Sequence, residues 1–283
     1  MQSDIFVISD LHMGDGGRRD NFAGKEPLLK DFLAHVLRQE AKLIVLGDLL
    51  EFWQESLGSV IVKRLEVLDW LAQVKATYVI GNHDIDLQAL IGRRLLAHPF
   101  FERMSLAFTR EIAGKKFKFL HGHEVDVLNA AESPGVGRAV TILAGVAEDI
   151  NGSPTWYGRS VENTLESLVT WPLSAWRLFA RLTNFHKLPM PSMSQAMTPA
   201  QRPGRADDII TALQRERATE GFDVAVVGHT HQPGRVGNWY YNSGSWVDQN
   251  SDFIKIDAAG NTQLFKWTTA GAVAKDHVLD YQA

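Results

Sequence analysis

The chain of 283 residues is long enough to bury a sizeable core, and its 45% hydrophobic and 22% charged content is that of a globular protein. Cysteine is absent, which excludes disulfides and thiolate metal sites, and the formal net charge of −4 gives no overall reason to expect a nucleic-acid partner. We expect a cytoplasmic protein, because the first predicted strand begins without the basic region of a signal peptide and no apolar run reaches membrane-spanning length.

Apolar runs and helical periodicity alternate through most of the chain. Apolar residues at helical spacing predict helices over 28–40 and 60–74, with a shorter helical piece near 87–96. Short apolar runs predict five buried strands, over 5–8, 43–46, 78–80, 117–120 and 223–227. Alternating segments then predict a meander, over 239–241, 253–256 and 263–267. This order predicts an α/β fold with more than one sheet layer.

Each of the five predicted buried strands ends in polar residues. Six of the ten histidines lie at these exits: His12, His83, His121, His123, His229 and His231. Ligands of open α/β sheets bind at the carboxyl ends of the strands, where such residues meet. For any one histidine, a hydrogen-bonded structural role is as good an interpretation as a ligand role. Five coincident exits, however, favour a single metal site.

The available donors suit divalent cations. Carboxylate, imidazole and amide oxygen favour manganese, with iron, zinc and magnesium as alternatives. Two such cations about 3.5–4 Å apart clamp an in-line displacement at phosphorus and acidify a shared water molecule. We therefore expect two divalent metal ions as cofactors.

Five ordered motifs carry a family resemblance. D-x-H begins at Asp10, G-D-x-x-E at Gly47, G-N-H-D at Gly81, H-G-H at His121 and G-H-T-H at Gly228. In this order they resemble the calcineurin-like metallophosphoesterase superfamily, over residues 4–266 apart from an insertion. The resemblance implies a single domain with a two-sheet αββα sandwich fold and a helical cap inserted at about 126–206.

The resemblance also implies roles for individual residues. The first metal would be held by Asp10, His12, Asp48 and His231. The second would be held by Asp48, Asn82, His121 and His229, so that Asp48 bridges the two. His83 matches the family's non-ligand histidine, which assists the leaving oxygen. Glu51 matches the carboxylate that orients this histidine, and Asp84 is a competitor for that role or a structural cap.

The motif form points to one branch. G-D-L-x-E-x-W at Gly47–Trp53 is similar to the UDP-2,3-diacylglucosamine hydrolases, which cleave a pyrophosphate under an acyl-binding cap. That branch usually carries Arg where this chain has His83. The interpretation is therefore a phosphodiester or pyrophosphate hydrolase, with a nucleotide-linked lipid as one candidate substrate. A nuclease or a general or cyclic-nucleotide phosphodiesterase is the alternative, and a non-catalytic scaffold is a remote one.

Several basic residues are candidates for substrate contact. Residues 167–206 contain five basic and no acidic residues, with Arg177 and Arg181 among interleaved aromatic residues. One interpretation of this segment is a packed cap helix with solvated arginines. Another is a lid that holds an apolar tail and an anionic headgroup, or that contacts an anionic membrane surface. A groove for single-stranded nucleic acid is the third. Arg18 and Arg19 in the glycine-rich loop are candidates for a substrate phosphate, with a flexible turn as the alternative. His123 is a candidate neighbour of the metal ligands. The oligomeric state stays open.

Overall fold

Two β-sheets form the centre of the described chain. The computed structural model describes residues 3–17, 20–53, 55–91, 98–126 and 205–279. In chain order the strands are β1 Ile5–Ile8, β2 Lys42–Leu46, β3 Thr77–Val79, β4 Met104–Ser105, β5 Ala107–Ile112, β6 Lys115–Leu120, β7 Val224–Val227, β8 Gly234–Val236, β9 Tyr240–Asn242, β10 Asp252–Ile256, β11 Thr262–Thr268 and β12 Gly271–Lys275. The helices are α1 Glu26–Arg38, α2 Leu57–Gln73 and α3 Arg205–Glu220.

The first sheet has seven strands in the order β12-β11-β10-β1-β2-β3-β4. Strands β1 to β4 run parallel, whereas β10, β11 and β12 are antiparallel to their neighbours. The second sheet has five strands in the order β5-β6-β7-β9-β8, and its three middle strands are parallel. The carboxyl ends of the parallel strands in each sheet therefore lie at one edge.

Three apolar layers hold the sheets and helices together. Alternate side chains of β1 and β2, such as Val7 and Ile44, pack against Phe119 and Val226 of the second sheet. The opposite side chains of the first sheet pack against α1 and α2. Leu213 and its neighbours in α3 cover the other face of the second sheet. This is the predicted αββα sandwich, so the fold class is confirmed.

Local sequence explains how the helices are placed. Helix α1 carries Pro27 in its first turn, where the missing N–H costs nothing, and buries Leu29, Phe32 and Val36 on one face. Helix α2 begins after Ser56, whose hydroxyl accepts a hydrogen bond from the Ser59 N–H at 3.2 Å. Among the described residues, no helix has both the length and the apolar character needed to cross a bilayer.

The helical piece expected near 87–96 is a 3₁₀ helix over Ile85–Leu90, and residues 92–97 lie outside the described part of the chain. The cap insertion expected at about 126–206 also lies outside it, apart from its two ends. The same holds for Arg18, Arg19, Arg177 and Arg181, whose expected contacts with substrate stay predictions.

Candidate metal centre

The strand exits bring the expected ligands together at one edge of the two sheets. Asp10 and His12 follow β1, and Asp48 follows β2. Asn82 follows β3, His121 follows β6, and His229 and His231 follow β7. Side-chain contacts of about 3–4 Å connect most of these residues, and His229 lies in a group with Asp48 and His121 whose potential ligand atoms are within 4.8 Å of one another.

Most of these residues have an unusual backbone conformation. Five of the nine non-glycine residues with positive φ in the described chain belong to the cluster: Asp10, His12, Asp48, His229 and His231. Their φ angles lie between 46° and 70°, the left-handed region that costs an L-residue about 1–2 kcal/mol. Backbone hydrogen bonds such as Asp10 N–H to Gly47 carbonyl at 3.1 Å hold the exits in this shape. Such strain concentrates at functional sites.

Glycines make room for the cluster. A Cβ atom on Gly47 would lie closer than 3.0 Å to the His121 ring, and one on Gly81 would equally collide with the Asp48 carboxylate. A Cβ on Gly228 would lie 2.6 Å from Asp10 Oδ2. Side chains of the cluster therefore lie against the backbone of these glycines, where a Cβ atom has no room. This explains why glycine precedes Asp48, Asn82 and His229.

Asp10, His12 and His231 form the first group of donors. The Nε2 atoms of His12 and His231 are 3.1 Å apart, and Asp10 Oδ1 lies 3.2 Å from His231 Nε2. Asp10 is fully buried, and burial favours its neutral form. The His231 and His121 imidazoles together outweigh this and lower the pKa of Asp10. An ionised carboxylate facing two imidazole nitrogens is a donor set for a divalent cation.

His121 tests whether the second group fits a cation. Its Nδ1 donates to the Leu46 carbonyl at 2.7 Å, so a neutral ring carries its lone pair on Nε2. That Nε2 lies 3.1 Å from both Asp48 Oδ2 and Asn82 Oδ1, which also accept. Burial lowers the pKa of His121, but the Asp48 carboxylate raises it to about 10. One imidazole nitrogen and two side-chain oxygens that meet in this way are ligands that a divalent cation accepts, so the residues fit a metal.

Glu51 contacts two histidines. Its Oε2 accepts from His83 Nδ1 at 2.6 Å and from His12 Nδ1 at 3.1 Å, and its Oε1 accepts from the Trp53 backbone N–H at 3.0 Å. Burial raises the pKa of Glu51, but His83 and His12 together outweigh it and lower the pKa to about 2. Although burial opposes a charge on His83, the Asp48 and Glu51 carboxylates raise its pKa. The carboxylate that the sequence assigns to His83 thus also contacts a candidate metal ligand.

Asp84 is bonded to backbone rather than to His83. Its carboxylate accepts from the N–H groups of Gly81 at 2.6 Å, Leu49 at 2.8 Å and Leu50 at 3.2 Å, and from the Tyr78 hydroxyl. Burial and the nearby Asp48 raise the pKa of Asp84 to about 6. These contacts join the two exits after β2 and β3, so of the two roles open to Asp84 the geometry favours the structural cap.

Two further residues at the cluster were not expected from the sequence. Asp126, which is buried, accepts a hydrogen bond from His229 Nε2 at 2.8 Å. The Trp53 indole stacks on the His83 ring at a centroid distance of 4.0 Å. The final Trp of the G-D-L-x-E-x-W segment was visible, but nothing in the sequence assigned it a contact. The buried ring of His123 lies 5.4 Å from that of His121 between centroids, beside the cluster.

Comparisons with known proteins concern the family and the fold of the chain. Residues 3–151 match the calcineurin-like phosphoesterase family. A dimetal phosphatase from Danio rerio shares the fold at 13% identity, with 97% of each chain covered and a TM-score of 0.51. Vacuolar protein sorting 29 from Cryptosporidium parvum is 13% identical, with 96% of this chain and 95% of that chain covered and a TM-score of 0.46. No curated protein matches the sequence. Because the family match spans more than half of the chain, the protein belongs to the calcineurin-like phosphoesterase family.

Proposed function

We propose that this chain hydrolyses a phosphodiester or pyrophosphate bond with two divalent cations. The observation that carries the proposal is the group of acceptors around His121 Nε2, where Asp48 and Asn82 oxygens meet a ring whose other nitrogen already donates. Asp48 also lies 3.7 Å from His12 Nε2, so that its carboxylate is near both donor groups, and this supports the proposal that Asp48 bridges two cations. We favour manganese, and the same donors accept iron, zinc or magnesium.

Bound cations would acidify a water molecule and offset the negative charge of the phosphate. The chain's own contribution begins with Glu51, which holds the Nδ1 edges of both His12 and His83. With Nδ1 of His83 engaged, Nε2 is the ring atom left to donate a proton to the departing oxygen. The anionic Glu51 favours the protonated form of His83 that this donation requires.

The test is to strip the protein of metal, reload it with Mn²⁺ and measure bound metal and turnover of aryl phosphodiesters. We expect Asp48→Ala to lose metal and activity together, because one carboxylate serves both donor groups. His83→Ala should lose rate and keep both metals. Asp69→Ala, an exposed carboxylate on α2, is the matched control and should behave as wild type. Turnover retained by Asp48→Ala, or metal lost from His83→Ala, would overturn these roles.

For the substrate we propose a nucleotide-linked lipid such as UDP-2,3-diacylglucosamine. The support is the G-D-L-x-E-x-W form at Gly47–Trp53, while His83 in place of the usual Arg departs from that branch. A panel of monoesters, diesters and nucleotide pyrophosphates, each with and without an acyl tail, together with single-stranded DNA, tests the assignment. A preference for the acylated pyrophosphate supports it, and a preference for single-stranded DNA would favour the nuclease alternative.

We also propose that the basic segment at 167–206 contacts the lipid or an anionic membrane surface, and that Arg18 or Arg19 binds a substrate phosphate. Co-sedimentation with anionic and neutral vesicles tests the first proposal. A doubly substituted Arg177→Ala/Arg181→Ala protein should bind anionic vesicles more weakly. For the second, Arg18→Ala or Arg19→Ala should raise KM and leave kcat unchanged, and unchanged kinetics would refute the contact.

A further inference from the structure

Three consecutive residues, Glu51, Phe52 and Trp53, contact His83. Glu51 Oε2 accepts from His83 Nδ1 at 2.6 Å, and the Phe52 N–H donates to the His83 carbonyl at 3.2 Å. The Trp53 indole then lies against the face of the His83 imidazole, with ring centroids 4.0 Å apart and planes inclined by 21°. The backbone N–H of Trp53 donates to Glu51 at 3.0 Å, so the carboxylate and the indole are tied to each other.

The His83 ring also contacts the ring of His12. The two rings form a T-shaped pair, with centroids 4.5 Å apart and planes at 90°. A hydrogen bond to Nδ1 alone would leave the imidazole free to rotate about the N–O direction, because such a bond fixes a distance and not a plane. The flat contact with Trp53 and the T-shaped contact with His12 restrict that rotation, while 16% of the His83 side chain stays exposed.

We propose that Trp53 is a positioning residue that fixes the plane of the His83 ring for proton donation to the leaving group. The inference rests on the proposed function of His83. In it, Trp53 acts on the orientation of the His83 ring and has no part in binding metal. Stacked aromatic pairs and imidazolium–indole contacts are strong enough to change the rate about 2- to 10-fold when lost.

The kinetic experiment compares Trp53→Ala and Trp53→Phe with wild type, using Mn²⁺-loaded protein and two aryl phosphodiesters. One substrate releases p-nitrophenolate, a good leaving group, and the other releases phenolate, a poor one that needs the proton more. We expect Trp53→Ala to lower kcat about 2- to 10-fold with phenolate and less with p-nitrophenolate, at unchanged KM and metal content. Trp53→Phe, which retains a flat ring, should recover most of the rate.

Two controls separate positioning from a general structural effect. Trp70→Ala removes a tryptophan of α2 that contacts Lys30, and it should leave the leaving-group dependence unchanged. In a His83→Ala background, Trp53→Ala should have no further effect, because its partner is already gone. An equal loss with both leaving groups, or an additive loss in the double variant, would overturn the proposal.

A measurement that does not depend on turnover tests the contact between the Trp53 and His83 rings separately from the proposed function. Histidine-ring NMR is measured on Zn²⁺-loaded protein, because Zn²⁺ is diamagnetic and does not broaden nearby signals as Mn²⁺ would. The His83 signals, assigned from His83→Ala, should be shifted or broadened in Trp53→Ala and unchanged in Trp70→Ala. If wild type hydrolyses no phosphoester while the signals respond, the function assigned to the site is wrong and the ring contact stands. Unaltered His83 signals in Trp53→Ala would rule out the ring contact itself.

Discussion

The left-handed backbone of His231 allows the strain at the metal centre to be measured directly. Its φ is 57°, and its side chain is 33% exposed. We compare His231→Gly with His231→Ala, since both remove the imidazole and differ only in the Cβ. Both variants should lose the contact with Asp10 and therefore lose metal and activity alike.

The two variants should differ in stability. A left-handed Ala costs about 1–2 kcal/mol, which glycine avoids. Glycine in turn loses about 0.5–1 kcal/mol more chain entropy on folding. The Gly variant should therefore be the more stable by roughly 0.5–1 kcal/mol. The neighbouring Gln232, which has an ordinary negative φ, supplies a matched pair in which Gly should be the less stable by about 0.5–1 kcal/mol.

The assay is urea unfolding in the presence of a chelator, which keeps metal out of the comparison. Subtracting the Gln232 pair from the His231 pair cancels the entropy of glycine and leaves the left-handed penalty, about 1–2 kcal/mol. If the difference in stability between Gly and Ala is the same at position 231 as at position 232, the backbone of His231 carries no strain and the reasoning fails.

Three further predictions concern parts of the fold outside the centre. Ala113→Asn should raise the free energy of unfolding by about 0.5–1 kcal/mol, since Ala113 and Gly114 form the β5–β6 turn with φ of 50° and 77° and Asn-Gly suits that turn; an unchanged thermal midpoint would contradict this. Arg64→Met should cost about 3–5 kcal/mol, because it leaves the buried Asp20 without its ionic partner, and Asp20→Asn in the same protein should recover part of the loss. Burial lowers the pKa of Lys25 from 10.5 to about 8, so the native state binds fewer protons in that range and stability should rise with pH there, an increase that Lys25→Met should lack.

Much of the architecture could be predicted because the buried strands are continuous apolar runs. Strands β1, β2, β3, β6 and β7 lie within two residues of their predicted bounds. Strand β5 was missed because it is at an edge, where Thr109 and Glu111 alternate with more buried residues and no apolar run forms. The short strand β4 pairs with β3, which is distant in sequence, and local propensity does not encode that pairing. Strand β8 was missed because its three residues, Gly234–Val236, form no apolar run.

The candidate site could be predicted only as a set of residues. The motifs named the residues that the structure gathers, but their mutual contacts depend on how separate exits pair. Glu51 reaches His12 because a backbone bridge between Met13 and Leu50 joins the exits after β1 and β2. The contacts of Trp53 with His83 and of Asp126 with His229 were not predicted for the same reason. The spacing of residues along the chain shows neither the orientation of a ring nor the approach of residues that are distant in sequence.

The glycines next to the cluster limit which positions of this protein tolerate amino-acid substitution. A methyl group at Gly47, Gly81 or Gly228 would collide with a side chain of the cluster although it removes no donor atom. In a saturation library screened for activity, tolerance should therefore fall abruptly within one residue of each strand exit. Upstream strand positions would still accept exchange among Val, Ile and Leu. The positions that tolerate substitution least would thus include glycines, which contribute no side chain to the site.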